Sequence, residues 1–280
     1  MQGKTVVITG ATSGIGQIAA ARLAQMGARI VVIARSKSRG AAAMAQLRAI
    51  APQTDHAIHY ADLSEISEMK RVASDIANEE PRIDVLINNA GAMFANRRVT
   101  RDGLECTFAL NHMAYFVLTE GLRAKLLASA PARIVNTASG AHKGVRLNFG
   151  NLQSAHNYGA VKAYGRSKLY NILFTRELAR SLKGTGVTAN CLHPGFVATR
   201  FADEAGGFIA PFIGLAKFFA LPPEKGAETI VYLASSPQVA EITGAYFYQC
   251  RPVPPSPDAE SDGAAALLWK RSAELAGFPS

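Results

Sequence analysis

An α/β fold, a doubly wound parallel sheet with helices on both faces, is what this sequence predicts, and three observations predict it. Short β-branched runs alternate with helical stretches from one end to the other. Several of those runs are apolar on both sides, as strands buried between two helix layers must be. The first run leads straight into a glycine-rich turn and then a helical pattern. Hydrophobic residues make up 49% of the chain and charged residues 18%, which supplies ample material for a core and argues against disorder. No composition break divides it, so residues 1–280 read as a single domain.

The elements follow in order. Thr5–Thr9 is the first strand and Gly16–Met26 its helix, with apolar residues at helical spacing. Arg29–Ala34 and the helix Arg39–Ala49 come next. His56–Tyr60 then leads to the helix Glu65–Asn78, whose start Ser64, Ser67 and Glu68 mark. Val85–Asn88 precedes one long helix, Gly103–Ser129, and Arg133–Thr137 precedes another, Tyr158–Leu182. Thr188–Leu192, a helix Glu224–Ala234 opened by Pro223, and Ala245–Gln249 complete seven strands. The prolines between Arg251 and Pro257 predict irregular chain. From Asp258 to Ala276 helical spacing returns through Ala266, Leu267, Trp269 and Leu275, a tail helix that packs back.

Bulk properties exclude several classes. Cys106, Cys191 and Cys250 lie far apart, so neither a disulfide framework nor a thiolate metal site is expected; they read as small buried hydrophobes in a reducing, cytoplasmic setting. No His/Asp/Glu cluster has metal spacing. The chain opens almost at once on a strand, so no secretion leader is expected, and the apolar stretch Phe208–Leu221, broken by Pro211 and Lys217, is too short to span a bilayer. The net charge of +9 would permit an acidic partner, but the basic residues are scattered apart from Arg97, Arg98 and Arg101 and the run Arg35–Arg39, so no nucleic-acid partner is expected.

The chemistry begins in the first turn, Thr9-Gly10-Ala11-Thr12-Ser13-Gly14-Ile15-Gly16. Glycines here let backbone turn sharply out of a strand and approach a pyrophosphate, which rests on unpaired amides at the helix N-terminus. An ordinary glycine turn is the plain alternative. At the end of the second strand a carboxylate would accept a ribose 2′-hydroxyl. This chain has Ala34 and then Arg35, with Lys37 and Arg39 nearby, which favours a 2′-phosphate and hence NADP(H) over a merely basic surface loop. Asp62, in Ala61-Asp62-Leu63 after the third strand, can accept from an adenine amino group; Asn88-Asn89-Ala90-Gly91 follows the fourth strand.

With those motifs the chain resembles the short-chain dehydrogenase/reductase family, whose fold is Rossmann-type and whose signatures match at Thr9–Gly16, Asp62-Leu63 and Asn88–Gly91. The remaining catalytic set has its own physical sense. Tyr164 and Lys168 lie one turn apart on a helix face. A free phenol titrates near pH ~10, and a neighbouring ammonium lowers that value, which is the reason for the pairing. Ser139, after the fifth strand, can hold a reacting oxygen. Asn111 sits mid-helix, where asparagine is a poor helix former. The resemblance implies that it holds a water linking Lys168 to solvent, and that Asn89, Ala90 and Gly91 steady the sheet beside the adenine ribose. It also implies that Pro194, Gly195, Val197 and Thr199, in His193–Thr199, contact the cofactor.

Within the family the likeness is to the retinol dehydrogenase-like branch. Val135–His142, Asn151-Leu152-Gln153, Ser167–Phe174, Glu177–Arg180 and Leu268–Ser272 carry it. It implies NADP(H)-dependent interconversion of a lipophilic alcohol and its carbonyl, of the retinal or long-chain kind. The segment 200–221 brings five phenylalanines and reads as an apolar lid with peripheral membrane contact, or as residues packed on core or partner. Substrate contacts are expected from Ser139, Phe196, Phe201 and His142, the last equally readable as a satisfied polar residue; His193 reads as structural. The helices Gly103–Ser129 and Tyr158–Leu182 offer a homodimer face that the tail could block. Two other readings stand beside this one: a light-dependent protochlorophyllide-type reductase of a C=C bond, and a catalytically silent NADP(H)-sensing protein.

Overall fold

The computed structural model describes residues 1–195 and 221–279. Strands β1 (Thr5–Thr9), β2 (Arg29–Ala34), β3 (Ala57–Tyr60), β4 (Val85–Asn88), β5 (Ala132–Thr137), β6 (Val187–Leu192), β7 (Tyr246–Tyr248) and β8 (Arg251–Pro252) form one sheet in the order β3-β2-β1-β4-β5-β6-β7-β8. The first seven run parallel. The doubly wound class and each of the seven strands hold, within a residue or so of the expected bounds. The eighth was not expected. It pairs antiparallel with β7 inside the proline-rich stretch read as irregular, with Phe247 opposite Pro252 and Tyr248 opposite Arg251. The connecting residues Gln249 and Cys250 both adopt positive φ, 48° and 61°. That is the two-residue hairpin geometry usually signalled by Asn-Gly, and Gln-Cys gives no such signal.

Alternation along the strands splits the core in two. Val7, Val31, Leu86 and Ile134 face α3 (Ile66–Glu79), α5 (Ala114–Ala128), α6 (Ala160–Ser181) and the tail helix α8 (Asp262–Ala276). Val6, Ile8, Val32 and Ile87 face α1 (Gly14–Gln25), α2 (Lys37–Ile50) and α7 (Pro223–Ser235). Helix α3 starts at Ile66 without a serine cap; its first amide instead donates to the Asp102 carboxylate at 2.6 Å, a long-range partner that corrects the Ser64 reading. Pro223 does open α7. The tail divides into a short 3₁₀ turn at Pro257–Glu260 and α8, capped by Ser261 and ended by left-handed Gly277. Its Trp269 stacks on Phe174 and meets Phe116 edge-on. The tail therefore lies across the seam of α5 and α6, the face that the sequence offers for a homodimer.

The long helix predicted over Gly103–Ser129 is not regular. It comprises α4 (Cys106–Phe108), a π-helical turn at Ala109–Met113 and then α5. The π turn falls on Asn111, the residue flagged as ill-suited to a helix interior. Of the cysteines only Cys191 is fully buried; Cys106 and Cys250 are half-buried, which corrects the uniform reading. Among the described residues no helix is long and apolar enough to cross a membrane, and no group of three or more metal-ligating side chains gathers.

Candidate active site

Strand order reverses between β1 and β4, and a crevice of this kind opens at the carboxyl ends of the strands on either side of such a switch. Here it is a cavity of ≈ 710 Å³ running from the glycine turn to the Ser139–Tyr164 pair. Gly10, Thr12, Ser13, Gly14 and Ile15 line its near end. Ser13 heads α1 without spending its side chain on a cap, and no acid occupies the first turn, so the amides there face the cavity ready for an anion. Gly16 does not line the cavity. A Cβ at Gly16 would lie 2.3 Å from Gly10 O and 2.4 Å from Asn89 Nδ2, so this glycine lets the turn and the Asn89 side chain pack together.

The turn is tied to the next strand end by Thr9, whose hydroxyl accepts from the Asn89 and Ala90 amides, each at 2.9 Å. Asn89 donates to Thr9 O at 3.3 Å and accepts from Thr137 Oγ1 at 3.3 Å, so one amide side chain bridges β1, β4 and β5. Arg35, Ser36 and Arg39 line the wall beyond β2, with Ala61, Asp62 and Leu63 beside them. One Asp62 carboxylate oxygen already accepts from the Ser64 amide at 3.0 Å and hydroxyl at 2.7 Å, which fixes the loop's direction.

The far end holds the reactive set. Ser139 heads a 3₁₀ turn, Gly140–Gly144, and its hydroxyl accepts from the Ala141 amide at 3.2 Å while hydrogen-bonding Tyr164. The approach of α6 to that turn needs a glycine: a Cβ at Gly165 would lie 2.8 Å from Ala141 O. Lys168 is buried, and its Nζ donates to Thr137 O at 2.8 Å, 5.8 Å from the centre of the Tyr164 ring. Burial pushes the Tyr164 phenol up to about 12, with the Ser139 bond opposing it, and burial pushes Lys168 down to about 7. Burial therefore opposes, at both of its members, the ammonium–phenolate pairing expected from the spacing.

Asn111 is buried in the π turn. Its Nδ2 donates to Ala92 O and Ser167 Oγ, each at 2.9 Å, and its Oδ1 accepts from the Ala92 amide at 2.8 Å. Both amide hydrogens are therefore committed, and one Oδ1 lone pair remains. Gly91 separates that oxygen from the lysine: a Cβ there would lie 3.1 Å from Asn111 Oδ1 and 3.4 Å from Lys168 Nζ.

His142 does not border the cavity. It is fully buried; its Nδ1–H donates to Ser139 O at 2.7 Å and its Nε2 accepts from the Ser256 amide at 3.0 Å. Both nitrogens are used to anchor the Ser139 turn to the chain after β8, so the substrate contact expected of it is corrected to a supporting one. His193, read as structural, does line the cavity; its Nδ1 accepts from the Gly195 amide at 3.0 Å and its ring stacks on Tyr248 at 4.2 Å. Pro194 and Gly195 line the cavity too, while Phe196, Val197, Thr199, Phe201 and nearly all of the 200–221 lid lie outside the described residues. The apolar wall also includes Met93, Leu110, Ala141 and Val161, which no local pattern in the sequence marks because their neighbours come from four different segments.

The family model described as short chain dehydrogenase matches residues 4–207. Human retinol dehydrogenase 14 is 40% identical over 99% of this chain and 88% of its own length. Among solved structures, an uncharacterized protein from Mycobacterium paratuberculosis superposes with a TM-score of 0.79 and 32% identity, covering 100% of this chain and 96% of its own. The Pseudomonas aeruginosa RhlG/NADP active-site complex gives 0.72 and 28%, covering 95% and 97%.

Proposed function

We propose, from the premise that this chain belongs to the short-chain dehydrogenase/reductase family and to its retinol dehydrogenase-like branch, that it is an NADP(H)-dependent reductase of lipophilic aldehydes and ketones. The family supplies oxidoreductase activity between alcohols and carbonyls. The observation that carries the finer reading is the Ser139–Tyr164 hydroxyl pair, set on the apolar side of the cavity whose other end is the glycine turn.

The residues present fit a phosphorylated dinucleotide. Gly10 to Ile15 and the open amides of α1 would hold the pyrophosphate, Asp62 and Leu63 the adenine, and Arg35 with Arg39 a 2′-phosphate, for which a guanidinium is the matching donor. That the RhlG structure carries NADP supports the same choice. When bound, the nicotinamide supplies the hydride.

This chain's residues do the rest. Ser139 and Tyr164 donate to the carbonyl oxygen and hold the carbon in register. Because burial holds its phenol near 12, Tyr164 carries its proton until the oxygen gains negative charge, and then gives it up. Lys168, near its midpoint at neutral pH, is placed to restore that proton. We put the relay water in the gap that Gly91 leaves between Asn111 Oδ1 and Lys168 Nζ. Met93, Leu110 and Val161 favour an apolar substrate, bound by loss of apolar area from water at roughly 25 cal/mol per Å². A homodimer on α5 and α6 would have to form beside the tail.

NADPH oxidation over retinal, long-chain aldehydes, steroids and small sugars tests this, run beside NADH and beside Tyr164→Phe. Turnover of lipophilic carbonyls, weaker with NADH and lost in the variant, is expected. Preference for small sugars, or turnover that survives Tyr164→Phe, overturns it.

A further inference from the structure

Ser139 heads a turn that has little to hold it from within: 3₁₀ hydrogen bonds have poor geometry, and Gly140–Gly144 is a single stretch of five residues. The chain after β8 supplies the hold. The His142 ring is fully buried and meets Tyr246 of β7 edge-on at 5.1 Å. Its Nδ1–H and the His142 amide both donate to Ser139 O, at 2.7 and 3.2 Å, so the residue closes the turn onto its own head. On the other side of the ring, Nε2 accepts from the Ser256 amide at 3.0 Å. Just beyond the turn, the Leu147 amide donates to Asp258 Oδ2 at 2.9 Å, a second tie to the same segment. That segment is fastened in turn to the sheet, where the Val253 amide donates to Tyr246 O at 2.8 Å. Hydrogen bonds and covalent chain thus run unbroken from β7 through Ser256 and His142 to the residue that carries the reactive hydroxyl.

We propose that the segment after β8 belongs to the catalytic apparatus, with His142 as a positioning residue for Ser139: the Ser256 amide fixes the ring, and the ring fixes the Ser139 carbonyl and with it the aim of the hydroxyl. That hydroxyl has little latitude. It accepts from the Ala141 amide at 3.2 Å within the turn and must also meet Tyr164. A turn released from Ser256 is free to swing it off that line, and a misplacement of ~1 Å at a reacting contact costs up to about a hundredfold in rate. The tie needs a neutral ring, in which one nitrogen donates and the other accepts. A proton on Nε2 sets N–H against the Ser256 N–H and breaks it. The titratable and charged groups around the ring are Lys143 of its own turn, Tyr246 of β7, His193 after β6, and the Arg146–Asp258 pair at the second tie. Burial holds His142 below the ordinary 6.5, so the tie is present at neutral pH and is lost as pH falls below that value. The catalytic consequence rests on the function proposed above; the anchoring itself does not.

The test uses the full chain with Ser256→Pro, His142→Phe and His142→Gln. Ser256 sits at φ −73°, which proline adopts, and its hydroxyl is buried without a partner, so Ser256→Pro removes little besides the amide hydrogen that His142 accepts. His142→Phe keeps a ring and loses both bonds, while His142→Gln still donates and accepts but does not titrate. Without cofactor, the His142 ring and the Ala141 amide are followed through a pH titration by ¹H–¹⁵N NMR; with NADPH, kcat and KM are followed over the same range. Expected for Ser256→Pro are a His142 midpoint moved upward, because the neutral ring has lost its donor, and a displaced Ala141 signal. Its kcat should fall by roughly tenfold, with the acid limb of the profile moved to higher pH and KM for NADPH changed by less than about twofold. His142→Phe should lower kcat at least as far and remove that limb; His142→Gln should return kcat toward wild type, also without the limb. An unmoved His142 midpoint and Ala141 signal in Ser256→Pro overturn the proposal, as do a wild-type kcat and profile in His142→Phe. Should Ser256→Pro not fold, an acid limb in His142→Gln identical to wild type overturns it equally. Signals that move in a protein reducing no carbonyl sustain the anchoring and refute the function instead.

Discussion

Lys168 is destabilising where it stands, and Lys168→Met measures by how much. The ordinary lysine value of 10.5 falls to about 7 in the folded protein because burial penalises the charge. The sign follows from linkage: a folded value below the unfolded one means the unfolded chain binds the extra proton between the two, so stability rises with pH through that window and is lost as pH falls toward 7. The difference between the two values amounts to about 4 kcal/mol of lost stability at pH 7 and about 2 kcal/mol at pH 9, reaching zero above pH ~10.5. Methionine has a similar shape and no charge. Thr137 O keeps the Asn171 amide and the Tyr115 hydroxyl as donors, so the substitution orphans no buried acceptor. Lys168→Met should therefore be more stable by up to ~4 kcal/mol near neutrality, a large share of the ~5–15 kcal/mol typical of a folded domain. Urea unfolding of the cofactor-free protein and the variant, at several values between pH ~6.5 and ~9.5, reads this directly. A variant no more stable at pH 7, or an advantage that stays constant as pH rises, refutes the reasoning.

Three further outcomes follow from the site. Arg35→Glu puts a carboxylate on the cavity wall where a 2′-phosphate is proposed, and should weaken NADPH binding by roughly ten- to a hundredfold while sparing NADH, read by calorimetric titration. Gly16→Ala forces a Cβ to 2.3 Å from Gly10 O, so backbone must shift; a loss of about 1–3 kcal/mol in urea and loss of dinucleotide binding are expected, and unchanged binding would show that the turn can yield. His142→Phe leaves the Ser139 carbonyl and Ser256 amide without their ring partners at about 1–3 kcal/mol. Since burial holds His142 below the ordinary 6.5, protonation breaks its acceptor role, and wild-type stability should decline as pH drops below 6.5, less steeply in the variant.

The sheet was legible because its strands carry a local signal: apolar runs such as Thr5–Thr9 and Arg29–Ala34 declare themselves residue by residue. The same holds for the glycine turn and for the Tyr164–Lys168 spacing, which needs only the helix period. What escaped depends on residues distant in sequence. Asp102 caps α3 across a loop; Ser64 merely stood nearby. His142 followed Ser139 closely and suggested a pocket residue, but Ser256 claims its second nitrogen. The lowering of Lys168 reflects the hydrocarbon around it, which spacing alone does not report. Asn111 lies between the two cases: its unsuitability for a helix was readable, while the π turn that accommodates it was not.

The short strand β8 also decides how the sheet ends. A parallel sheet without it would expose the free backbone groups of β7, a template on which any extended segment could continue the ladder. Arg251 and Pro252 occupy that place, and the Val253 amide donates to Tyr246 O at 2.8 Å. Pro252, Pro254 and Pro255 carry no amide hydrogen to offer outward, so the row stops there. On this side growth of the sheet from one molecule into the next is opposed by composition, which leaves β3, among the described strands, as the edge with an unpaired side.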